Sequence, residues 1–143
     1  TAKHLINDDT PLMTMNSDQL VEWDVVDLFE DCKRFDALIP CFYGEGNAWS
    51  YARCGQDGYV EEVAEKKQIS EYATAGYYYW SKGSDFVKYA EQMIEDNSRT
   101  NGEFYVAPVY NWAIKDGKKI GVFMVDKLHS LGTPEDLKEY LNG

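Results

Sequence analysis

Glycine, cysteine and histidine are scarce in this sequence where they would carry chemistry. No glycine occurs before Gly44, so the front of the chain holds no phosphate-cradling loop. The 3 cysteines form no C-x-x-C pair and there are only 2 histidines, which excludes a disulfide framework, a zinc site and multi-histidine metal chemistry. No G-x-S-x-G motif is present, so triad hydrolases have no support. We expect a cytosolic protein with reduced thiols.

Positive charge is in short supply as well. The chain has 14 Lys+Arg against 25 Asp+Glu, and its net charge of -11 repels phosphate backbones and anionic lipid. It also lacks a run of about 18 apolar residues. We therefore expect neither nucleic acid nor a membrane as a partner. Small phosphorylated ligands need only two or three local cations, which the lysine pairs at 66–67 and 118–119 offer, although surface lysines are more often simply solvated.

The chain does contain enough apolar surface for a folded domain. Hydrophobic residues make up 44% and aromatic residues 15% of its 143 residues, a composition that argues against disorder. A chain of this length can bury a sizeable core. We expect residues 1–143 to form a single domain.

Hydrophobic spacing and turn residues predict alternating strands and helices. Strands are predicted at residues 11–16, 37–43, 49–53, 58–63, 72–80 and 119–125, and helices at 1–7, 25–35, 85–96, 109–115 and 134–141. The strands at 49–53 and 58–63 form one β-hairpin. Pro40 places the apolar 37–43 strand near a sheet edge or a bulge. The predicted fold class is α/β, with a mixed, mostly parallel sheet and flanking helices.

The first predicted strand ends in a small-residue turn and a carboxylate, Asn16-Ser17-Asp18. In open α/β sheets, ligands bind outside the carboxyl ends of the strands, so Asp18 points at a site. The alternative is a carboxylate that only caps the following turn. If this strand is built for neighbours on both sides, its open apolar edge would pair with another chain, so we expect a homo-oligomer.

Five short motifs follow one another along the chain. They are N-S-D at 16–18, E-V-A-E-K-K at 62–67, Y-A-T-A-G-Y-Y-Y-W at 72–80, G-E-F-Y-V at 102–106 and L-G-T-P-E-D-L at 131–137. In this order they make the chain resemble the later part of a sugar-phosphate nucleotidyltransferase. That family includes glucose-1-phosphate thymidylyltransferases and the nucleotidyltransferase-like proteins of capsule and surface-polysaccharide clusters. The resemblance covers nearly the whole chain.

The resemblance implies an incomplete Rossmann-like nucleotidyltransferase fold and a reaction. In that family the oxygen of a sugar 1-phosphate attacks the α-phosphorus of a nucleoside triphosphate, which gives an NDP-sugar and pyrophosphate. Such chemistry depends on positioning and charge neutralisation. Asp18 matches the family's aspartate that holds Mg²⁺, so Mg²⁺ is the implied cofactor. Asp18 and Lys66 are the implied catalytic residues.

The same resemblance assigns the sugar-binding residues. Glu65 and Lys66 match a pair that binds sugar hydroxyls and the sugar phosphate, and their alternative is an exposed ion pair. Thr74 and Gly76 match the strand beneath the sugar, where Gly76 is equally compatible with a packing role. Glu103 matches an acidic residue that accepts from a sugar hydroxyl, or it is a helix-terminus carboxylate. The implied partner is a sugar phosphate or an NDP-sugar.

Two departures from the family pattern bear on activity. Many members carry a second metal-binding aspartate where this chain has Ser130. The family's glycine-rich loop is also missing, so we expect this chain to be the sugar-binding and metal-binding portion of such an enzyme, inactive by itself. The alternatives are a sugar-phosphate-binding or regulatory module, or a folded remnant without ligand.

Overall fold

A computed structural model describes residues 2–143, and Thr1, the first residue of the predicted 1–7 helix, lies outside them. The strands are β1 (Leu12–Met15), β2 (Gln19–Glu22), β3 (Ala37–Tyr43), β4 (Ser50–Cys54), β5 (Val60–Glu65), β6 (Tyr72–Thr74), β7 (Tyr77–Trp80), β8 (Ile120–Met124) and β9 (Lys127–Ser130). The helices are α1 (Lys3–Ile6), α2 (Val25–Cys32), α3 (Gly83–Glu95), a 3-10 helix (Ala107–Val109), α4 (Tyr110–Lys115) and α5 (Pro134–Asn142). Each predicted strand and helix is confirmed, with the 72–80 strand divided into β6 and β7.

One mixed sheet of 7 strands forms the body of the molecule. Strand β3 lies inside it, with β8 on one side and β6 and β7, placed end to end, on the other. Strand β1 pairs with β7, and the β4–β5 hairpin joins the sheet through β6. The predicted β-hairpin is therefore confirmed. Strands β2 and β9 pair with each other as a separate ribbon.

The prediction of a mostly parallel sheet is wrong. Only the β3–β8 pair is parallel, and every other pair of the described strands is antiparallel. A parallel neighbour needs a crossover, and the β3–β8 connection contains the helices α3 and α4. Strands β1 and β3 also run in the same direction, but β7 lies between them and pairs antiparallel with both. The alternation of strands and helices therefore did not predict which strands are neighbours in the sheet.

Pro40 lies in an inner strand, not near an edge. Proline has no N–H to donate to a neighbouring strand. It therefore fits where the regular ladder of hydrogen bonds is interrupted. The gap between β6 and β7 provides that place, because Ala75 leaves the ladder there and donates its N–H to the Pro40 carbonyl at 2.8 Å. A break between β6 and β7, opposite Pro40, therefore takes the place of the predicted edge or bulge.

Different helices cover the two faces of the sheet. The Asp24 carboxylate caps α2 by accepting two N–H groups of its first turn at 2.8 and 3.1 Å, and α2 packs Leu28 and Cys32 against one face. On the other face, which α3 and α4 cover, Trp80 stacks on Tyr110 with ring centroids 4.4 Å apart and an interplanar angle of 5°. These two apolar clusters hold the sheet between helices.

The β2–β9 ribbon was not predicted, although it fixes the position of Asp18. Its strands are only four residues long and carry mixed polar sequences, Q-L-V-E and K-L-H-S, which show no clear period. The register pairs Gln19 with Ser130, and the Leu131 N–H donates to the Asp18 carbonyl at 2.8 Å. Helix α5 then begins at a capping box formed by Thr133 and Asp136.

The three cysteines of the chain all lie within the described residues. Cys32, Cys41 and Cys54 are all free cysteines. Across residues 2–143, no helix has the length and apolar character that crossing a membrane requires.

We predict that Gly76 is required by backbone and packing together. Its φ is +76°, and a Cβ there would lie 1.7 Å from the Gln19 side-chain oxygen. Gly46 is a matched control, with φ +87° and no atom near an added Cβ. Gly46→Ala should lower the free energy of unfolding by about 1 to 2 kcal/mol through backbone strain alone, and Gly76→Ala by clearly more. Urea denaturation measures both, and equal losses would contradict the packing role.

We also retain the prediction that the chain self-associates through β1. Among the described strands β1 pairs only with β7, and Met15 on it is 61% exposed. Light scattering after gel filtration should show a dimer or larger species at micromolar concentration. Met15→Lys should shift it towards monomer, whereas Leu5→Lys, at an exposed residue of α1, should not. A monodisperse wild-type monomer would refute this prediction.

Candidate functional site

The candidate site lies where the long strand opposite β3 is interrupted. Strands β1 and β4 both lie on the side of β6 and β7 that faces away from β3. Strand β1 pairs as far as Tyr77, and β4 pairs at Ala73. The end of β1 therefore faces the start of β4 across residues 74–76. Since Asp18 follows β1 and Glu65 pairs with the first residue of β4, the fold brings distant motifs to one place.

Lys66 is the centre of the first group of side chains. Its backbone is left-handed, with φ +53°, and its ammonium donates to the Tyr105 hydroxyl at 2.8 Å. The Tyr105 hydroxyl in turn donates to a Glu103 carboxylate oxygen at 3.0 Å. The hydrogen bond that Lys66 donates to Tyr105, and after it the charges of Glu65 and Glu103, raise the pKa of Lys66 above its usual value. Lys66 is therefore a cation that Tyr105 connects to the predicted sugar-binding residue Glu103.

A group of neighbouring polar side chains connects Glu65 with Thr74. The Ser50 hydroxyl donates to Glu65, and Ser50 lies close enough to the Tyr78 hydroxyl to lower its pKa against the larger effect of burial. Tyr78 and Thr74 share a hydrogen bond of 3.0 Å, and Thr74 is only 3% exposed. Burial raises the pKa of Tyr78, so its phenol stays protonated. The hydroxyl of Thr74, a predicted site residue, is therefore buried and hydrogen-bonds Tyr78.

Asp18 and Gly76 form the second group. Asp18 is exposed, and a Cβ built at Gly132 would lie 3.3 Å from its carboxylate. The space beside Gly76 is filled by the side chains of Gln19 and Asn16, which hydrogen-bond each other at 3.1 Å. The missing side chain of Gly76 therefore admits Gln19. A role of Gly76 beneath a ligand stays a prediction.

Among residues 2–143, the side chains around Asp18 do not form a metal site by themselves. Within residues 2–143 no group of three or more His, Cys, Asp or Glu side chains is placed to hold a metal ion. The Ser130 hydroxyl donates to Asp136 at 3.0 Å, and hydrogen bonds from Thr133 and then Ser130 lower the pKa of Asp136. Asp18 is thus a single available carboxylate. Mg²⁺ accepts one carboxylate when phosphate oxygens and water supply its other ligands.

Two clefts are lined in part by Ser130, whose partner in the β2–β9 ribbon, Gln19, follows Asp18. The larger, of ≈ 690 Å³, lies between β9 and α5 and is lined by several acidic side chains, among them Glu22 and Glu139. The other, of ≈ 420 Å³, lies at the carboxyl ends of the parallel neighbours β3 and β8. We call it the aromatic cleft, and its lining is Phe42, Tyr43, Trp49, Val125, Asp126, Lys127, Leu128 and Ser130. Its position matches the place where α/β sheets bind ligands, so it is the better candidate despite its smaller volume.

Several residues of this arrangement were not predicted from the sequence. Tyr105 stands inside the G-E-F-Y-V motif, and its spacing from Glu103 could have indicated a pair. Ser50 and Tyr78 gave no signal, because their partners come from other strands through the register of the sheet. Trp49 is the first predicted residue of the hairpin, and its place in a cleft depends on the loop before it.

Comparison with known proteins identifies the fold. No protein-family model matches the sequence, and no curated protein matches it significantly. A nucleoside-diphosphate-sugar pyrophosphorylase from Vibrio cholerae has a solved structure that matches with a TM-score of 0.82 at 22% identity, over 99% of this chain and 60% of that chain. The fold resembles part of a sugar-nucleotide pyrophosphorylase.

Two further solved structures agree with this pyrophosphorylase-like fold. A UDP-glucose pyrophosphorylase complexed with UDP-glucose matches with a TM-score of 0.76 at 15% identity, over 99% of this chain and 58% of that chain. A chain from Bacillus anthracis described as a glucose-1-phosphate thymidylyltransferase, in complex with sucrose, matches with a TM-score of 0.73 at 17% identity, over 96% of this chain and 55% of that chain. This chain therefore spans less than two thirds of each of the three structures. The resemblance to nucleotidyltransferases is confirmed as a resemblance of fold.

We predict that Thr74 and Tyr78 depend on each other for stability. Tyr78→Phe leaves the buried Thr74 hydroxyl without its partner and should lower the free energy of unfolding by about 1 to 3 kcal/mol. Adding Thr74→Val removes that orphaned hydroxyl, so the double variant should lose less than the sum of the two single losses. Urea denaturation gives the three values, with Tyr140→Phe on the surface as a control. Strictly additive losses would refute the coupling.

Proposed function

We propose that this chain forms the sugar-phosphate side of a nucleotidyltransferase active site. In the complete reaction, a sugar 1-phosphate and a nucleoside triphosphate give an NDP-sugar and pyrophosphate. The observation that carries the proposal is the contact between two separate motifs, in which Lys66, the neighbour of Glu65, donates to Tyr105 and Tyr105 donates to Glu103. The pyrophosphorylase-like fold supports it independently.

Each residue has a role that its chemistry allows. The Lys66 ammonium provides a fixed positive charge for the sugar phosphate. The Glu65 and Glu103 carboxylates accept hydrogen bonds from sugar hydroxyls, which orient the ring. Ser50 holds Glu65 in place, and Tyr105 holds Glu103. The chain thereby aligns the attacking phosphate oxygen without any covalent step of its own.

Asp18 is proposed to hold Mg²⁺ together with ligand phosphates. The ion would neutralise phosphate charge at the end of β1, and Asp18 is the residue whose carboxylate stays available there. Ser130, the residue paired with Gln19, contributes no second carboxylate. Metal affinity of the chain alone should therefore be weak and should rise when a phosphate ligand is present.

Turnover is proposed to need more than these residues. The 143 residues hold no glycine-rich loop that opens a helix, and such a loop is what cradles a nucleoside triphosphate. We therefore propose that this chain binds a sugar phosphate or an NDP-sugar but does not convert it by itself.

Calorimetric titration tests this function. Sugar 1-phosphates and NDP-sugars, titrated with and without Mg²⁺, should bind saturably and more tightly with Mg²⁺. Lys66→Ala and Asp18→Ala should both weaken binding, by about tenfold or more, because each removes a charge that a phosphate or its metal needs.

Two matched variants control for charge and fold. Lys67→Ala removes the neighbouring exposed lysine, and Asp9→Ala removes an exposed carboxylate before β1. Both should bind as the wild type does. Absence of heat from the folded chain with every ligand would overturn the proposed function and favour a remnant without ligand. Equal weakening by Lys66→Ala and Lys67→Ala would reduce the effect to general electrostatics.

A further inference from the structure

A tight turn between α3 and the 3-10 helix carries Glu103. Asn101 and Gly102 form the centre of this turn, with φ of +50° and +82°, the left-handed backbone that an Asn-Gly pair adopts readily. Thr100 and Glu103 close it, because each donates its N–H to the carbonyl of the other, at 2.9 and 3.0 Å. The backbone of Glu103 is therefore hydrogen-bonded within the turn.

The Arg99 side chain contacts both chain neighbours of Glu103. Its guanidinium donates to the Gly102 carbonyl at 2.9 Å and lies over the Phe104 ring, 3.9 Å from the ring centroid. A second N–H of the same group donates to the Asn97 side chain at 2.8 Å, just after α3. A planar guanidinium suits this arrangement, because it can donate in its own plane while it stacks on an aromatic ring. Arg99 thus joins the turn to the end of α3.

Phe104 and Tyr105 connect the same turn to the core and to the proposed phosphate site. The Phe104 ring is half-buried and packs against the larger apolar cluster. The Tyr105 hydroxyl accepts from Lys66 at 2.8 Å and donates to Glu103 at 3.0 Å. Glu103 is therefore held at its side chain by Tyr105 and at its backbone by the turn that Arg99 fixes.

This support matters because Glu103 itself is exposed. An exposed carboxylate on a loose loop would have to be ordered when a ligand binds, at a cost in conformational entropy for each residue fixed. The contacts of Arg99 order the turn in the folded chain before any ligand binds. The carboxylate is thereby available in one place.

The position of Lys66 depends on different contacts. The Lys66 N–H donates to the Trp49 carbonyl at 3.0 Å. The Gly46 N–H donates to the Gln68 side chain at 2.9 Å, and the Gln68 N–H donates to the Asn47 side chain at 3.0 Å. These three hydrogen bonds join residues 46–49 to residues 66–68 and involve no residue of the turn. A change at the turn can therefore alter Glu103 while the backbone of Lys66 keeps its support.

We propose that Arg99 is the positioning residue for Glu103, and that its guanidinium holds the turn so that the carboxylate meets a hydroxyl group of the bound sugar phosphate. The inference rests on the proposed function, because the place of Glu103 matters only if Glu103 accepts that hydroxyl. Arg99 lies outside the five sequence motifs and acts through Glu103, without a ligand contact of its own.

Replacing the guanidinium while keeping its charge tests the proposal. Arg99→Lys should bind hexose 1-phosphates, with Mg²⁺ present, about fivefold more weakly than the wild type, the effect that loss of one hydrogen bond produces. Inorganic phosphate has no hydroxyl for Glu103 to orient, so the variant should bind it as the wild type does. Arg53→Lys is a matched control at an exposed arginine that pairs with Glu61 and Glu62, and it should change neither affinity.

A double-variant cycle tests whether Arg99 acts through Glu103. Glu103→Ala should weaken hexose 1-phosphate binding by a similar factor, and adding Arg99→Lys to Glu103→Ala should cause no further loss. Amide hydrogen exchange is a second readout, because the N–H groups of Thr100 and Glu103 close the turn. Both should exchange about tenfold faster in Arg99→Lys than in the wild type.

The outcomes separate this inference from the proposed function. Hexose 1-phosphate binding or amide exchange that Arg99→Lys leaves unchanged would overturn the positioning role and leave the proposed function standing. Equal weakening of hexose 1-phosphate and inorganic phosphate would also overturn it, as would a loss that adds in full to that of Glu103→Ala. No binding of any hexose 1-phosphate by the wild type would overturn both. Urea denaturation of each variant ensures that only folded chains are compared.

Discussion

The interruption of one strand at Ala75-Gly76 is the constraint on which the rest of the structure depends. It lets Pro40 occupy an inner strand, because the opposite strand makes no regular ladder there. It also ends β1 and begins β4 on the same side, so the chain leaves and enters the sheet at one point. A continuous strand would have buried this region in regular pairing. The break instead leaves space for the turn of Asp18 and the loop of Lys66.

Lys66 is a cation held in a defined position on an acidic protein. The net charge of -11 would repel an anionic ligand at long range. The Lys66 ammonium donates to Tyr105, and this contact and the carboxylates around it raise the pKa of Lys66. Glu65 is held from the other side by Ser50, whose neighbour Tyr78 is buried. Hydrogen bonding to Tyr105 thus gives the Lys66 ammonium a defined position on an acidic protein.

Most elements could be predicted from the sequence because their signals are local. The apolar stripe of α2, its cap at Asp24 and the turn between β4 and β5 are all properties of short segments. Strand neighbours depend on pairing between distant segments, and for this reason the prediction of a mostly parallel sheet was wrong. The candidate residues Lys66 and Glu103 came from the family resemblance, and their meeting point could not be predicted since Tyr105 joins them only in the folded chain. The short β2–β9 ribbon gave no period to detect.

Three hydrogen bonds join residues 46–49 to residues 66–68, so the two loops form one unit. Two independent loops would each lose conformational entropy on being ordered. Loops joined in this way are ordered together in the fold itself, so a change in the position of one loop is passed to the other.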